Sequence, residues 1–275
     1  MADPGRTVGD QRADSHYHDP GGVDHHLKPG HSRLATPLLS IIIPAYNEER
    51  RLPTTLEKTR QFIERQSYLT EVLVVENGSQ DRTFQIADEF SRQHSWLRVV
   101  REEQRGKGRA VKRGMLEASG QFRFMCDADL SMPIDEINRF LPPLQTDFDI
   151  AIGSREAPGA VRYEEPLYRH LGGRVINLII RLLALPGLQD TQCGFKCFRA
   201  AVAEDLFRSQ TMSGWAFDVE VLFIARKRGY RITEIPIPWY FMSESKVNLY
   251  QDTPKMILDI LKIRLNDRRG LYRKA

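Results

Sequence analysis

The sequence predicts an α/β domain built on a mostly parallel central sheet flanked by helices. Two observations carry that prediction. Short apolar runs rich in β-branched residues alternate with helix-length segments from Leu38 onward, and polar, glycine-bearing loops follow the runs at their carboxyl ends. Composition agrees: 275 residues, 41% hydrophobic and 28% charged, suffice for a sizeable core and exclude collagen-like, fully disordered and disulfide-scaffold chains.

Residues 38–43 form the first run, stopped by Pro44, as in a strand buried on both faces. Residues 72–75, 97–100, 122–126 and 150–153 repeat the pattern. Between the runs, residues 53–66, 83–94, 109–119 and 134–144 read as helices, and strands joined through helices imply right-handed crossovers. After Arg155 the alternation breaks. Residues 164–185 read as a helix, 192–198 as a strand, 217–228 as a helix, 232–239 as a strand and 254–265 as a final helix. Residues 1–37 differ from the rest, with Gly, Pro, Asp and His in place of aliphatic side chains, and read as a disordered tail. Five of the seven histidines fall there, at spacings that fit no defined metal site.

Forty Lys and Arg against 36 Asp and Glu leave a formal charge of +4, an excess suited to phosphates or anionic lipid rather than a signature of nucleic acid. Three cysteines, Cys126, Cys193 and Cys197, without a signal-peptide pattern favour a reducing, cytosol-facing location. Cys193 and Cys197 lack the partners of a zinc site and read as core thiols. No segment approaches the ~18 to 20 apolar residues of a membrane span.

Ligands of such sheets bind at the carboxyl ends of the strands, and the polar motifs sit there. Pro44-Ala45-Tyr46-Asn47-Glu48-Glu49 follows the first strand, and Glu76-Asn77-Gly78-Ser79-Gln80-Asp81 the second. Arg105-Gly106-Lys107-Gly108 enters a helix, so backbone amides, the helix terminus and Lys107 can face a phosphate. It matches neither the Walker loop nor the Gly-x-Gly-x-x-Gly fingerprint, which removes the main support for ATPase or NAD-enzyme readings. Asp127-Ala128-Asp129 follows the fourth strand. Where the chain turns out of a strand, both carboxylates can converge on one hard cation, with Mg2+ or Mn2+ the natural choice beside phosphates.

In this order, these motifs resemble the nucleotide-sugar half of family-2 glycosyltransferases of the GT-A fold. Gly153-Ser154-Arg155, Asp190 to Lys196, Trp215 to Glu220 and Ser245-Lys246 are similar to dolichyl-phosphate and polyprenyl-phosphate glycosyltransferases, above all the dolichyl-phosphate β-glucosyltransferase branch. The resemblance spans residues 38–265. It divides the chain into the tail (1–37), a GT-A domain (38–248) with a nucleotide-sugar half (38–155) and an acceptor half (156–248), and a membrane-surface helix with a basic tail (249–275).

The resemblance implies that Pro44, Ala45, Tyr46, Glu48, Glu76, Asn77 and Lys107 hold the nucleoside diphosphate, and that Asp127 and Asp129 bind the metal. Arg155, Arg169, Arg174 and Gln192 face the acceptor, Lys246 the leaving diphosphate, and Asp218 the sugar hydroxyls or a proton. Glu76-Asn77-Gly78 replaces the Asp-Asp-Gly of many relatives, and Met242-Ser243-Glu244 precedes Ser245-Lys246 where the mannosyltransferase branch carries an Arg, which tilts the donor from GDP-mannose to UDP-glucose. The implied reaction inverts the anomeric carbon as a lipid phosphate attacks it. That phosphate, with a second pKa near ~6, is largely dianionic at neutral pH and needs no strong base.

A GDP-mannose enzyme, a soluble transferase with a non-lipid acceptor, and a noncatalytic sugar-nucleotide-binding protein are the alternatives. Two segments suit peripheral membrane contact. Residues 166–185 place His170, Arg174, Asn177 and Arg181 opposite Leu171, Val175, Leu178, Ile179 and Leu182, and residues 262–275 carry six basic side chains against Asp267.

Overall fold

The computed structural model describes residues 36–242 and 249–274, without the side chains of Tyr168, Arg169 and residues 249–253. The expected tail therefore lies outside the described residues, apart from Thr36 and Pro37. Pro37 accepts a hydrogen bond from the Gln121 amide and is thereby tied to the sheet region.

The first half follows the expected alternation: β1 (Leu39–Ala45), α1 (Leu52–Glu64), β2 (Thr70–Glu76), α2 (Thr83–Gln93), β3 (Leu97–Arg101), α3 (Lys107–Glu117), β4 (Phe122–Cys126) and β5 (Ile150–Ser154). Residues 134–144, expected to be an α-helix, instead form a short 3-10 helix, Ile134–Phe140, which ends just before Pro142-Pro143. The second half comprises β6 (Val161–Tyr163), α4 (Leu167–Leu183), β7 (Phe195–Arg199), α5 (Ala200–Ser209), α6 (Phe217–Lys227), β8 (Ile232–Pro236), β9 (Pro238–Tyr240) and α7 (Leu249–Arg268). Helix α5 escaped the sequence reading because it leaves β7 without an intervening turn residue. The single strand expected over 232–239 divides at Ile237, its first part joining the main sheet and its second pairing with β6.

Among the described residues, seven strands form one sheet in the order β3-β2-β1-β4-β7-β5-β8, and only β7 runs antiparallel to its neighbours. Alternate residues of β1 enter opposite cores: Leu39, Ile41 and Ile43 pack with α1 and the 3-10 helix, Ile42 with α3, α5 and α6. A strand walled on both faces is apolar at nearly every position, which is why the run 38–43 was legible; its one polar residue, Ser40, is buried and donates to Glu71. From β1 the chain winds outward to β2 and β3, then crosses back to β4 on the other side of β1. The crevice between β1 and β4 is thus the topological switch point, where open α/β sheets bind ligands.

Two surface elements bear on the expected membrane contact. Helix α4 exposes Leu167, Leu171, Val175, Leu178 and Leu182, as a membrane-surface helix would, but Asn177, expected on its polar face, is buried, and Ile179, expected on its exposed face, meets the core with Ile176 and Ile180. The basic segment after α7 is not a free tail. Gly270, at φ 79°, turns the chain, Tyr272 is fully buried, and Arg228 donates to the Tyr272 and Arg273 carbonyls. Lys262, Arg264, Arg268, Arg269, Arg273 and Lys274 nevertheless remain exposed.

Helix α3 presses on the sheet at Gly114, where a Cβ would lie 2.5 Å from Ile42 Cγ2 and 2.9 Å from Val75 Cγ2. Gly114→Val should therefore lower unfolding stability by about 2 kcal/mol in urea denaturation. Wild-type stability in that variant would show that α3 does not sit this close.

Candidate active site

The loops after β1 and β2 are stitched together by their own polar groups. The Asn47 amide donates to Ser79 Oγ at 3.1 Å, the Gln80 amide to Asn47 Oδ1 at 2.8 Å, the Glu48 amide to Thr83 Oγ1 at 2.7 Å, and the Glu49 amide to Asp81 Oδ2 at 3.1 Å. Asn77 joins the second loop to the third: its side chain donates to the Glu102 and Gln104 carbonyls and accepts from the Gly106 amide. The two motifs read as ligand loops are thus also each other's scaffold.

They form one wall of a cleft of about 720 Å³ at the switch point. Pro44, Ala45, Tyr46, Glu48, Asn77, Lys107, Asp127, Asp129, Arg155, Gln192 and Asp218 all line it. Glu76 does not. It is 2% exposed, accepts the Ser79 amide and lies 3.6 Å from Arg101, behind the wall rather than on it. Arg174 is exposed on α4 and outside the lining, which the same helix reaches through Gly173, Ile176 and Asn177. Arg169, by its side chain, and Lys246 lie outside the described residues.

At the end of β4, Asp127 and Asp129 are 25% and 24% exposed. Asp127 accepts the Lys107 ammonium at 2.7 Å and packs so closely on Gly194 that a Cβ there would fall 1.9 Å from Oδ2. Asp129 accepts the Ser131 amide through Oδ1, and its Oδ2 lies 4.0 Å from Arg51, which Glu48 grips through both oxygens at 2.6 and 2.7 Å. The pair fits a divalent cation by donor chemistry, with two hard carboxylates facing one cleft. No group of three or more His, Cys, Asp or Glu side chains able to hold a metal occurs among the described residues, so a cation held by this pair would need further oxygens from outside it.

Cations and carboxylates alternate beneath the cleft. Burial works against the charge on Lys107, but Asp127, Asp218 and Asp129 outweigh it and hold the ammonium above its ordinary range. Lys196, 1% exposed on β7, reaches Asp218 at 2.7 Å. Burial raises the Asp218 carboxyl despite that partner and Lys107. Arg155 is bound in a fork to Asp190, Nε to Oδ2 at 2.6 Å and Nη2 to Oδ1 at 2.9 Å, and lies over the Trp239 ring. Asp190 is in turn fixed by its backbone amide on Glu234. The sequence reading did not single out Arg51, Lys196 or Trp239. Arg51 did carry a signal, its spacing of three from Glu48; the other two become visible only when β7 and β9 are placed.

Burial tends to raise the Asp190 carboxyl, but Arg155 overrides it and holds the group below its ordinary range. A carboxylate depressed by folding stabilises above its unfolded pKa of about 3.9 and loses that contribution as pH falls through the folded value. Asp190→Asn should therefore cost about 3 kcal/mol at pH 7 in urea denaturation, with the gap to wild type narrowing below about pH 4. A gap that is absent, or unchanged by acid, would show that the pair does not act in this way.

Comparisons with known proteins agree with this geometry. Residues 40–207 match the family model for glycosyl transferase family 2. The chain is 35% identical to a dolichyl-phosphate beta-glucosyltransferase of Drosophila melanogaster, over 86% of this chain and 77% of that one. It is 32% identical to the Homo sapiens protein of that name, over 86% and 78%, and 30% identical to one from Trichomonas vaginalis, over 92% and 82%. Among solved structures, the fold is similar to glucosyl-3-phosphoglycerate synthase from Mycobacterium tuberculosis in complex with UDP, with a TM-score of 0.59 at 19% identity over 90% of this chain and 86% of that one. The same protein in complex with Mn2+, UDP-glucose and phosphoglyceric acid gives 0.58 at 17% identity, over 82% and 79%. With the GT-A architecture and the strand-end carboxylates already in place, the chain belongs to glycosyl transferase family 2.

Proposed function

We propose that this glycosyltransferase moves glucose from UDP-glucose to dolichyl or polyprenyl phosphate, with inversion, as a peripheral protein at the cytoplasmic membrane face. The observation that carries the proposal is the shared cleft at the switch point, where Asp127, Asp129, Lys107 and Arg155 stand together. The relatives named for glucose transfer to dolichyl phosphate support the donor and the acceptor.

Asp127 and Asp129 would hold Mg2+ or Mn2+, which supplies Lewis-acid neutralisation of the departing diphosphate. Lys107 adds a fixed charge on the same side, and the Gly106–Gly108 backbone opens α3 toward the donor phosphates. Tyr46 and Asn77 line the nucleoside end, and Asp218, held by Lys196, offers hydrogen-bond acceptors to sugar hydroxyls. The acceptor phosphate is already a strong enough nucleophile at neutral pH, so the work of the site is to bring two anions together. Arg155 and Gln192, which also line the cleft, would face the acceptor phosphate for that purpose.

No described helix is long and apolar enough to cross a membrane. The exposed leucine stripe of α4, its flanking Arg174 and Arg181, and the exposed Leu258, Leu261 and Leu265 of the adjoining α7 suit an interfacial seat on anionic lipid.

Labelled UDP-glucose and GDP-mannose, offered separately with polyprenyl phosphate and Mn2+, should put label into the organic phase from UDP-glucose. Transfer from GDP-mannose alone would reverse the donor assignment, and no transfer from either would overturn the reaction. Asp129→Asn should lose at least about a hundredfold in that assay with its unfolding transition preserved. Retained turnover would remove Asp129 from the metal site. Binding to anionic liposomes should weaken as salt rises, because exposed charges are screened within about 10 Å at 0.1 M. Salt-insensitive binding, or none, would reject the electrostatic seat.

A further inference from the structure

Glu220 on α6 is a fully buried carboxylate with no cation at ion-pair distance among the described residues. Hydrogen bonds alone satisfy it. It accepts the Thr211 amide at 2.9 Å, the Thr211 hydroxyl at 2.5 Å, the Met212 amide at 2.7 Å and the Tyr272 hydroxyl at 2.7 Å. Three of these donations come from the loop before α6 and the fourth from the segment after α7. Asn266 of α7 closes the circuit by donating to the Thr211 and Tyr272 hydroxyls.

The loop held in this way is part of the cleft. Its Ser213 carbonyl accepts the Gly108 amide at 2.9 Å, and Gln210 donates to the Gly108 carbonyl at 2.9 Å, so it braces the first turn of α3, where Lys107 stands. Its Trp215 is 37% exposed at the cleft wall, with the Lys107 ammonium 5.0 Å from the ring centroid. Gly106 and Gly108 have no room for a side chain against this loop: a Cβ would fall 2.3 Å from the Ser213 carbonyl oxygen and 2.7 Å from that of Met212. Any shift of residues 211–215 therefore moves the phosphate-facing backbone as well.

We propose that Tyr272 is a positioning residue for the donor site: acting through Glu220, the C-terminal segment holds the 211–215 loop, and with it Trp215 and the first turn of α3, in the geometry that binds the sugar nucleotide. The inference rests on the reading of the cleft as the donor site. Glu220 Oε1 accepts the Tyr272 hydroxyl together with the Thr211 amide and hydroxyl, so deleting the Tyr272 hydroxyl takes one of three donors from a buried carboxylate oxygen and one acceptor from Asn266, and cuts the direct tie between the C-terminal segment and the loop. Tyr272→Phe keeps the ring that fills the buried position near Phe223 and deletes only that donor.

The test uses the full chain, wild type, Tyr272→Phe and the control Leu271→Ala, whose side chain is 51% exposed. UDP-glucose affinity with Mn2+ is measured by calorimetry, KM and kcat by transfer, and loop order by acrylamide quenching of tryptophan fluorescence. The expected result is a rise of about fivefold in both Kd and KM for UDP-glucose in Tyr272→Phe, with a smaller change in kcat and greater quenching, and wild-type values in Leu271→Ala. A melting temperature lowered with Kd, KM and quenching unchanged would reduce Tyr272 to a stability role and overturn the inference. Failure of the wild type to bind UDP-glucose would instead overturn the reading of the cleft, so the two failures are distinct.

Discussion

The contact between the Lys107 ammonium and the Asp127 carboxylate, 2.7 Å long, is the interaction on which the site depends. It joins the first turn of α3 to the end of β4 across the switch point. It also sets the electrostatic character of the cleft: one carboxylate oxygen is neutralised by the chain itself, while Asp129 beside it has the Ser131 amide and a more distant arginine. The contact requires an empty space at residue 194, because any side chain there would occupy the volume of the Asp127 carboxylate. A glycine in the segment leading into β7 is therefore a condition for the chemistry at the end of β4.

Charge is handled differently in the two halves of the chain. In the first half, polar groups of the loops after β1 and β2 satisfy one another, so the wall is held by the chain itself. Around β5 and β7, ion pairs are sunk below the cleft, Arg155 with Asp190 and Lys196 with Asp218. Such pairs add little net stability, since desolvation offsets their attraction, but losing one partner is costly. They fix where charge can stand. Asp190 turns Arg155 from a mobile cation into an oriented fork at the edge of the cleft, and the Glu234 carboxylate that receives the Gln189 and Asp190 amides carries the constraint back to β8.

The fold was legible where a single physical rule governed the residues. Strands walled on both faces are predominantly apolar, so β1, β2, β4 and β5 stood out despite single buried polar residues such as Ser40 and Arg123, and the ligand-facing end followed from the parallel topology. Legibility failed where two rules competed. Helix α4 exposes the leucine stripe that peripheral contact requires, but Asn177 of its expected polar face is buried and Ile179 meets the core, since periodicity says which residues share a face and not what covers the face. The chain end read as a basic tail because six like charges fall within residues 262–274, three of them in α7 itself, while one aromatic, Tyr272, folds the last residues back by filling a buried position. At the site, residues in strand-end loops were found from motif order alone. Lys196 and Asp190 were quoted within a motif but gained a role only when β7 was seen to run antiparallel between β4 and β5 and place them beneath the cleft.

The central claim is that Asp127 and Asp129 make the cleft a site for a diphosphate only together with a divalent cation. The most direct measurement is a calorimetric titration of the protein with UDP, once in Mn2+ and once in excess chelator, with no acceptor present. The account predicts binding at least about tenfold tighter with the metal, a difference of about 1.4 kcal/mol. Equal affinity in the two titrations would contradict it.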